Sequence, residues 1–164
     1  MKTFLTTLLL LGAALCAPVT AAQTPQLKID DTVIRMPLAE DVTMDDAVDS
    51  MKLRANALNF KLVAYLPLYK EARAMGVDSK RVEIFQFCDA RIASEMIDYD
   101  INFSAYLPCR ITLIEDQDGK AWLITMNLDM FIGAAKLPPE LRAKAIKVRD
   151  TIQSIMEAGA NGDL

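Results

Sequence analysis

The chain has 164 residues, a formal charge of −4 and no histidine. That length fits one domain with a sizeable core. Without histidine there is no Ser-His-Asp triad, no Cys-His dyad and no His-ligated zinc, copper or haem. The charges are scattered without a basic run, which argues against nucleic acid or an anionic membrane surface as partner.

Residues 1–22 have the three parts of a secretory signal peptide. Lys2 is the positive start, an apolar run extends from Phe4 to Leu15, and Pro18 precedes the small residues Thr20, Ala21 and Ala22. Cleavage is expected after Ala22, which places the mature chain in the periplasm. The apolar run is too short to span a bilayer, which needs roughly 20 residues. Cys16 follows Leu15, where a lipidated cysteine needs a small neighbour, so lipidation is not expected. Cleavage removes Cys16 and Lys2 and leaves residues 23–164 as a single domain, one unit more negative than the whole chain.

Leu27 to Met36 reads as extended structure with a turn or bulge near Asp30 and Asp31. Thr43 suits a helix N-cap, and Met44, Ala47, Val48, Met51, Ala55 and Leu58 follow at helical spacing. Asn59 to Leu66 returns to strand-like composition. Leu68 to Met75 reads as a short helix stopped by Gly76. Arg81 to Phe87 is rich in strand formers, and Asp89 is placed to cap a helix reaching Ile97. Arg110 to Glu115 and Lys120 to Met126 flank Asp116-Gln117-Asp118-Gly119, a hairpin with an Asp-Gly turn. Pro138 and Pro139 open a long helix with Leu141, Ala145, Val148, Ile152 and Ile155 on one stripe, ended by Gly159 and Gly162. These elements predict an α+β two-layer domain, its sheet mixed or partly antiparallel and packed by amphipathic helices.

No Cys-x-x-Cys redox motif, haem-attachment motif or glycine-rich phosphate loop is present. The carboxylates Glu115, Asp116 and Asp118 fall in a hairpin turn and are assigned to the turn. Asp98, Asp100 and Asn102 have a calcium-like spacing, but the loop lacks the glycine and the closing acid of an EF-hand. No cofactor is evident.

Chemistry therefore concentrates on Cys88 and Cys109, each at a strand boundary. Three readings stand. A structural disulfide suits an oxidising compartment and contributes about 3 kcal/mol by loop entropy. A thiol site is the second, with Arg110 lowering the pKa of Cys109 and the helix after Asp89 doing so for Cys88. A soft metal or haem site is the third, with Met126 or Met130 joining the cysteines.

The chain resembles the bacterial family named domain of unknown function 302. The resemblance covers roughly Val33 to Met126. It rests on the helix after Asp41-Val42-Thr43, the strand ending Ile84-Phe85-Gln86-Phe87, and Leu107-Pro108-Cys109-Arg110-Ile111 leading into Glu115 and Asp118-Gly119. It implies a small α+β domain that pairs as a homodimer, in a family with no general activity assigned. Cysteine at both 88 and 109 departs from the plainer pattern and is similar to an exported branch associated with sulfur-oxidising bacteria. The function expected is a periplasmic binding or accessory protein, linked to sulfur or redox metabolism through a small sulfur ligand or redox partner. The alternative is a thiol-dependent sulfur transferase or oxidoreductase, or a haem or soft-metal carrier.

Overall fold

The computed structural model describes residues 26–163. The expected export signal, its expected cleavage site and Cys16 lie outside them. After a 3-10 turn at Ile29–Thr32 the chain runs through β1 (Val33–Pro37), α1 (Met44–Ala57), β2 (Lys61–Leu66), α2 (Leu68–Ala74) and β3 (Val82–Cys88). It continues with α3 (Ala90–Tyr99), a 3-10 helix (Ile101–Tyr106), β4 (Cys109–Glu115), β5 (Ala121–Met126), α4 (Leu128–Ala134) and α5 (Pro139–Asn161). The strands form one sheet in the order β1-β5-β4-β3-β2, antiparallel at every pairing. The two-layer α+β expectation holds, and the sheet is wholly antiparallel.

Strand alternation sets the two faces. On β3, Glu83, Phe85 and Phe87 are buried while Val82, Ile84, Gln86 and Cys88 are half-buried. Phe85 pairs with Ile111 and Phe87 with Cys109, so one face of the sheet carries Phe85, Phe87, Ile111, Leu113 and Leu123 into the core. α1 brings Val48, Met51 and Ala55 to this core, and α5 brings Ile152, Ile155, Met156 and Ala160. The opposite face carries Ile84, Ile114, Trp122 and Ile124, all half-buried.

Local signals act where the residues place them. Thr43 accepts a hydrogen bond from the Asp46 N–H at 3.1 Å while Asp46 accepts one from the Thr43 N–H at 3.1 Å, a reciprocal box at the start of α1. The hairpin turn closes through Asp116, which accepts from the N–H groups of Asp118 and Lys120 and from Trp122 Nε1. Of the two glycines expected to end α5, Gly162 does so, at φ 69° in the left-handed cap position, while Gly159 is corrected, since the helix runs through it to Asn161. Gly159 is instead a packing residue. A Cβ there would lie 2.6 Å from Met51 Cγ and 3.0 Å from Leu123 Cδ1, so glycine lets α5 approach α1 and β5 this closely.

At the start of β3 a buried polar group is fully answered. Glu83, 3% exposed, accepts from Tyr65 Oη at 2.5 Å and from Arg81 Nη2 at 2.8 Å, and Arg81 also reaches Asp45 at 2.7 Å. Burial and then the Glu83 carboxylate push the Tyr65 phenol up to about 12, so it stays a hydrogen-bond donor.

Candidate functional site

The antiparallel pairing of β3 and β4 puts the end of one beside the start of the other. Cys109 lies opposite Phe87, and Cys88 is one residue further along. The two cysteines, separated by the whole excursion through α3 and the 3-10 helix, therefore meet at one end of the sheet. Both are free thiols, Cys109 buried and Cys88 half-buried.

They line a cavity of about 310 Å³. The sheet end contributes Phe60, Cys88 and Cys109, and α3 contributes Ile92, Ala93 and Met96. The 3-10 helix adds Phe103 and Tyr106, α4 adds Leu128, Phe131 and Ile132, and α5 adds Ala145 and Val148. The wall is braced at several points. The Tyr106 and Phe131 rings lie 5.0 Å apart at 54°, an inclined aromatic pair. Arg142 of α5 donates to the carbonyls of Ile132 and Ala135 at 2.9 Å, tying down the end of α4. Tyr99 donates to the Lys136 carbonyl at 2.7 Å, joining α3 to the loop after α4. Polar groups on the lining are few: Asp89 accepts from the N–H groups of Arg91 and Ile92 at the start of α3, and Asp100 accepts from the Asn102 N–H.

The electrostatics run against the expected thiol activation. Burial, then the charge of neighbouring Asp89, raises the pKa of Cys88. Burial, then Cys88, pushes Cys109 up to about 11. At neutral pH only about one Cys109 in ten thousand is a thiolate. Arg110 was expected to lower that value, but strand alternation turns it away from the buried face and leaves it exposed. At Cys88 the Asp89 carboxylate that caps α3 is itself a negative neighbour, and burial and that charge outweigh the helix end.

The expected metal-site methionines are elsewhere. Met126 borders a second cavity of about 140 Å³ with Ile34, Met36 and Met156, and Met130, on α4, lines neither. Among the described residues no three His, Cys, Asp or Glu side chains gather as a metal would require.

Sequence reasoning found the two cysteines but not the cavity around them. Phe103, Tyr106, Phe131 and Ile132 come from short elements that periodicity does not mark. The local signal available was a cap: Asn127, ahead of Leu128, Phe131 and Ile132, accepts from the Met130 N–H at the start of α4.

No curated protein matches the chain. A solved structure, that of an uncharacterized conserved DUF302 protein from Bacillus stearothermophilus, is similar in fold with a TM-score of 0.66. The identity is 13%, over 77% of this chain and 97% of that one. The family described as Domain of unknown function DUF302 matches residues 34–159. The helix after Thr43, the Ile84–Phe87 strand and the strand and turn after Leu107 that carry the resemblance all fall inside that span, and the chain belongs to the DUF302 family.

Proposed function

We propose that this domain is a periplasmic binding or accessory protein that holds a small apolar molecule in the cavity beside Cys88 and Cys109. The carrying observation is a pre-formed cavity of about 310 Å³ with mostly aliphatic and aromatic walls and two thiols in its lining. Ligand sites of this kind start at about 300 Å³. The raised thiol pKa values favour contact over attack: protonated sulfur is polarizable and apolar, suited to a soft or sulfur-containing ligand. This is the basis for a link to sulfur or redox metabolism. Pairing of two copies would use the sheet face opposite the helices, where Ile84, Ile114, Trp122 and Ile124 are half-buried; sedimentation of the mature chain tests it.

The test of the cavity is a fluorescence titration with phenylnaphthylamine, an uncharged aromatic dye, on chain purified from the periplasm. One saturable site per chain is expected, lost in Ala93→Phe, whose ring fills the space. Absence of saturable binding, or unchanged binding in Ala93→Phe, rejects the reading. A mass spectrum of the same sample reports whether residues 1–22 are removed and whether the two sulfurs are free, bridged or persulfidated. A thiosulfate or persulfide turnover that vanishes in Cys109→Ser would replace binding by catalysis.

A further inference from the structure

We infer that the cavity selects its ligand by charge, accepting an apolar molecule that carries an amine and rejecting the same skeleton carrying a carboxylate. The inference rests on the cavity being a ligand site and concerns the class of ligand it takes. The lining contains two ionisable carboxylates, Asp89 and Asp100, and no lysine or arginine. Among the described residues neither aspartate is part of an ion pair.

Each aspartate uses one oxygen, Oδ1, to accept from backbone N–H groups, Asp89 at the start of α3 and Asp100 at the start of the 3-10 helix. The other oxygen of each makes no hydrogen bond within the described residues; Asp89 is half-buried and Asp100 is exposed. A helix N-terminus carries only about half a positive charge, so a capping carboxylate leaves the start of α3 net negative. The N–H groups of Arg91 and Ile92, which would otherwise receive an anion there, are taken by Asp89. The negative field reaches the cavity wall, since Asp89 is the charge that bears on Cys88. Two cations lie near without lining the cavity: Lys61, opposite Cys88 across the β2–β3 pairing, and Arg142, whose guanidinium is held by the carbonyls of Ile132 and Ala135. Asp89 and Asp100 cap opposite ends of α3, about 16 Å apart along its axis, so the charged end of a ligand meets one of them. A carboxylate there would lose water beside a like charge, whereas an ammonium gains an acceptor.

The experiment displaces bound phenylnaphthylamine with naphthylmethylamine, naphthylmethanol and naphthoate at pH 7 and low salt. These share one ring system and differ in charge. The expected order is amine, alcohol, acid, with about tenfold or more between the ends. In Asp89→Asn/Asp100→Asn the ends should come within about twofold. Asparagine caps as well as aspartate, so the fold is retained, and Asp100→Asn alone serves if the double variant fails to fold. Equal displacement by amine and acid overturns charge selection and leaves the cavity reading intact. Amine preference that survives in the variants overturns the assignment to these carboxylates. No dye binding at all removes both.

Discussion

The two ends of β3 carry the molecule's two concentrations of chemistry, and they are built on opposite plans. At its start Glu83 is buried with every neighbour accounted for: a tyrosine donor, an arginine in two contacts, and a second carboxylate balancing that arginine. At its end Cys88, with Cys109 beside it, faces open volume lined by apolar side chains. A polar group with all its partners in place has no capacity for a ligand, and removing one partner leaves an uncompensated charge. A weakly polar thiol beside empty space has the reverse properties. It costs little to bury and leaves contact unsatisfied. The ion-paired end therefore holds the fold, and the thiol end has the open volume that the proposed ligand would fill.

The sharpest way to break this contrast is Glu83→Ala. It strands Arg81 and Tyr65 at the edge of the core, and a loss of about 3 kcal/mol is expected, the low end for a buried pair because Arg81 keeps some contact with water. Urea unfolding measures it. Dye affinity in the cavity should stay within about twofold where the variant remains folded, and a larger change would show the two ends to be coupled.

The thiol end has its own signature in pH. The folded pKa of Cys109, about 11, stands above its ordinary value of 9.0, so the native state binds the proton more tightly than the unfolded chain does. Its contribution is complete below pH 9 and is lost as pH rises to 11, about 2–3 kcal/mol in all. Tyr65 adds a loss of the same sign at higher pH, from 10 towards 12. Comparing unfolding at pH 8 and pH 11 in the native chain and in Cys109→Ala isolates the thiol, since the variant retains only the other losses. An identical pH dependence in both would show that Cys109 is not buried as a thiol.

Much of the fold is legible because its elements are long enough to show a period. α1 and α5 declare themselves by apolar stripes, and Thr43, Asp89 and the Asp116–Gly119 turn mark boundaries that the structure keeps. Gly159 misleads because its role lies in the approach of Met51 and Leu123, which no local pattern encodes. The site is half legible. Two cysteines at strand boundaries can be read directly, but their surroundings come from a six-residue 3-10 helix and the seven residues of α4, too short for periodicity to distinguish from a loop. The orientation of Arg110 follows from alternation once Cys109 is known to face the core. Burial itself, which decides the thiol pKa, needs the third dimension.

Two smaller changes sharpen the contrast at the cavity end. Asp89→Ala removes the cap of α3 and should cost about 1 kcal/mol, whereas Asp89→Asn should be neutral within a few tenths. A similar loss in both would mean that charge, and not capping, stabilises this helix. The smallest effect, and the one of opposite sign, is expected from Ala93→Leu. Ala93 borders empty volume, so the larger side chain gains contacts. Stability should rise by about 0.5 kcal/mol while dye affinity falls severalfold. That combination distinguishes a cavity kept open for a ligand from one that is merely imperfectly packed: filling a ligand site stabilises the empty protein and harms binding, whereas filling a packing flaw stabilises it and leaves binding untouched.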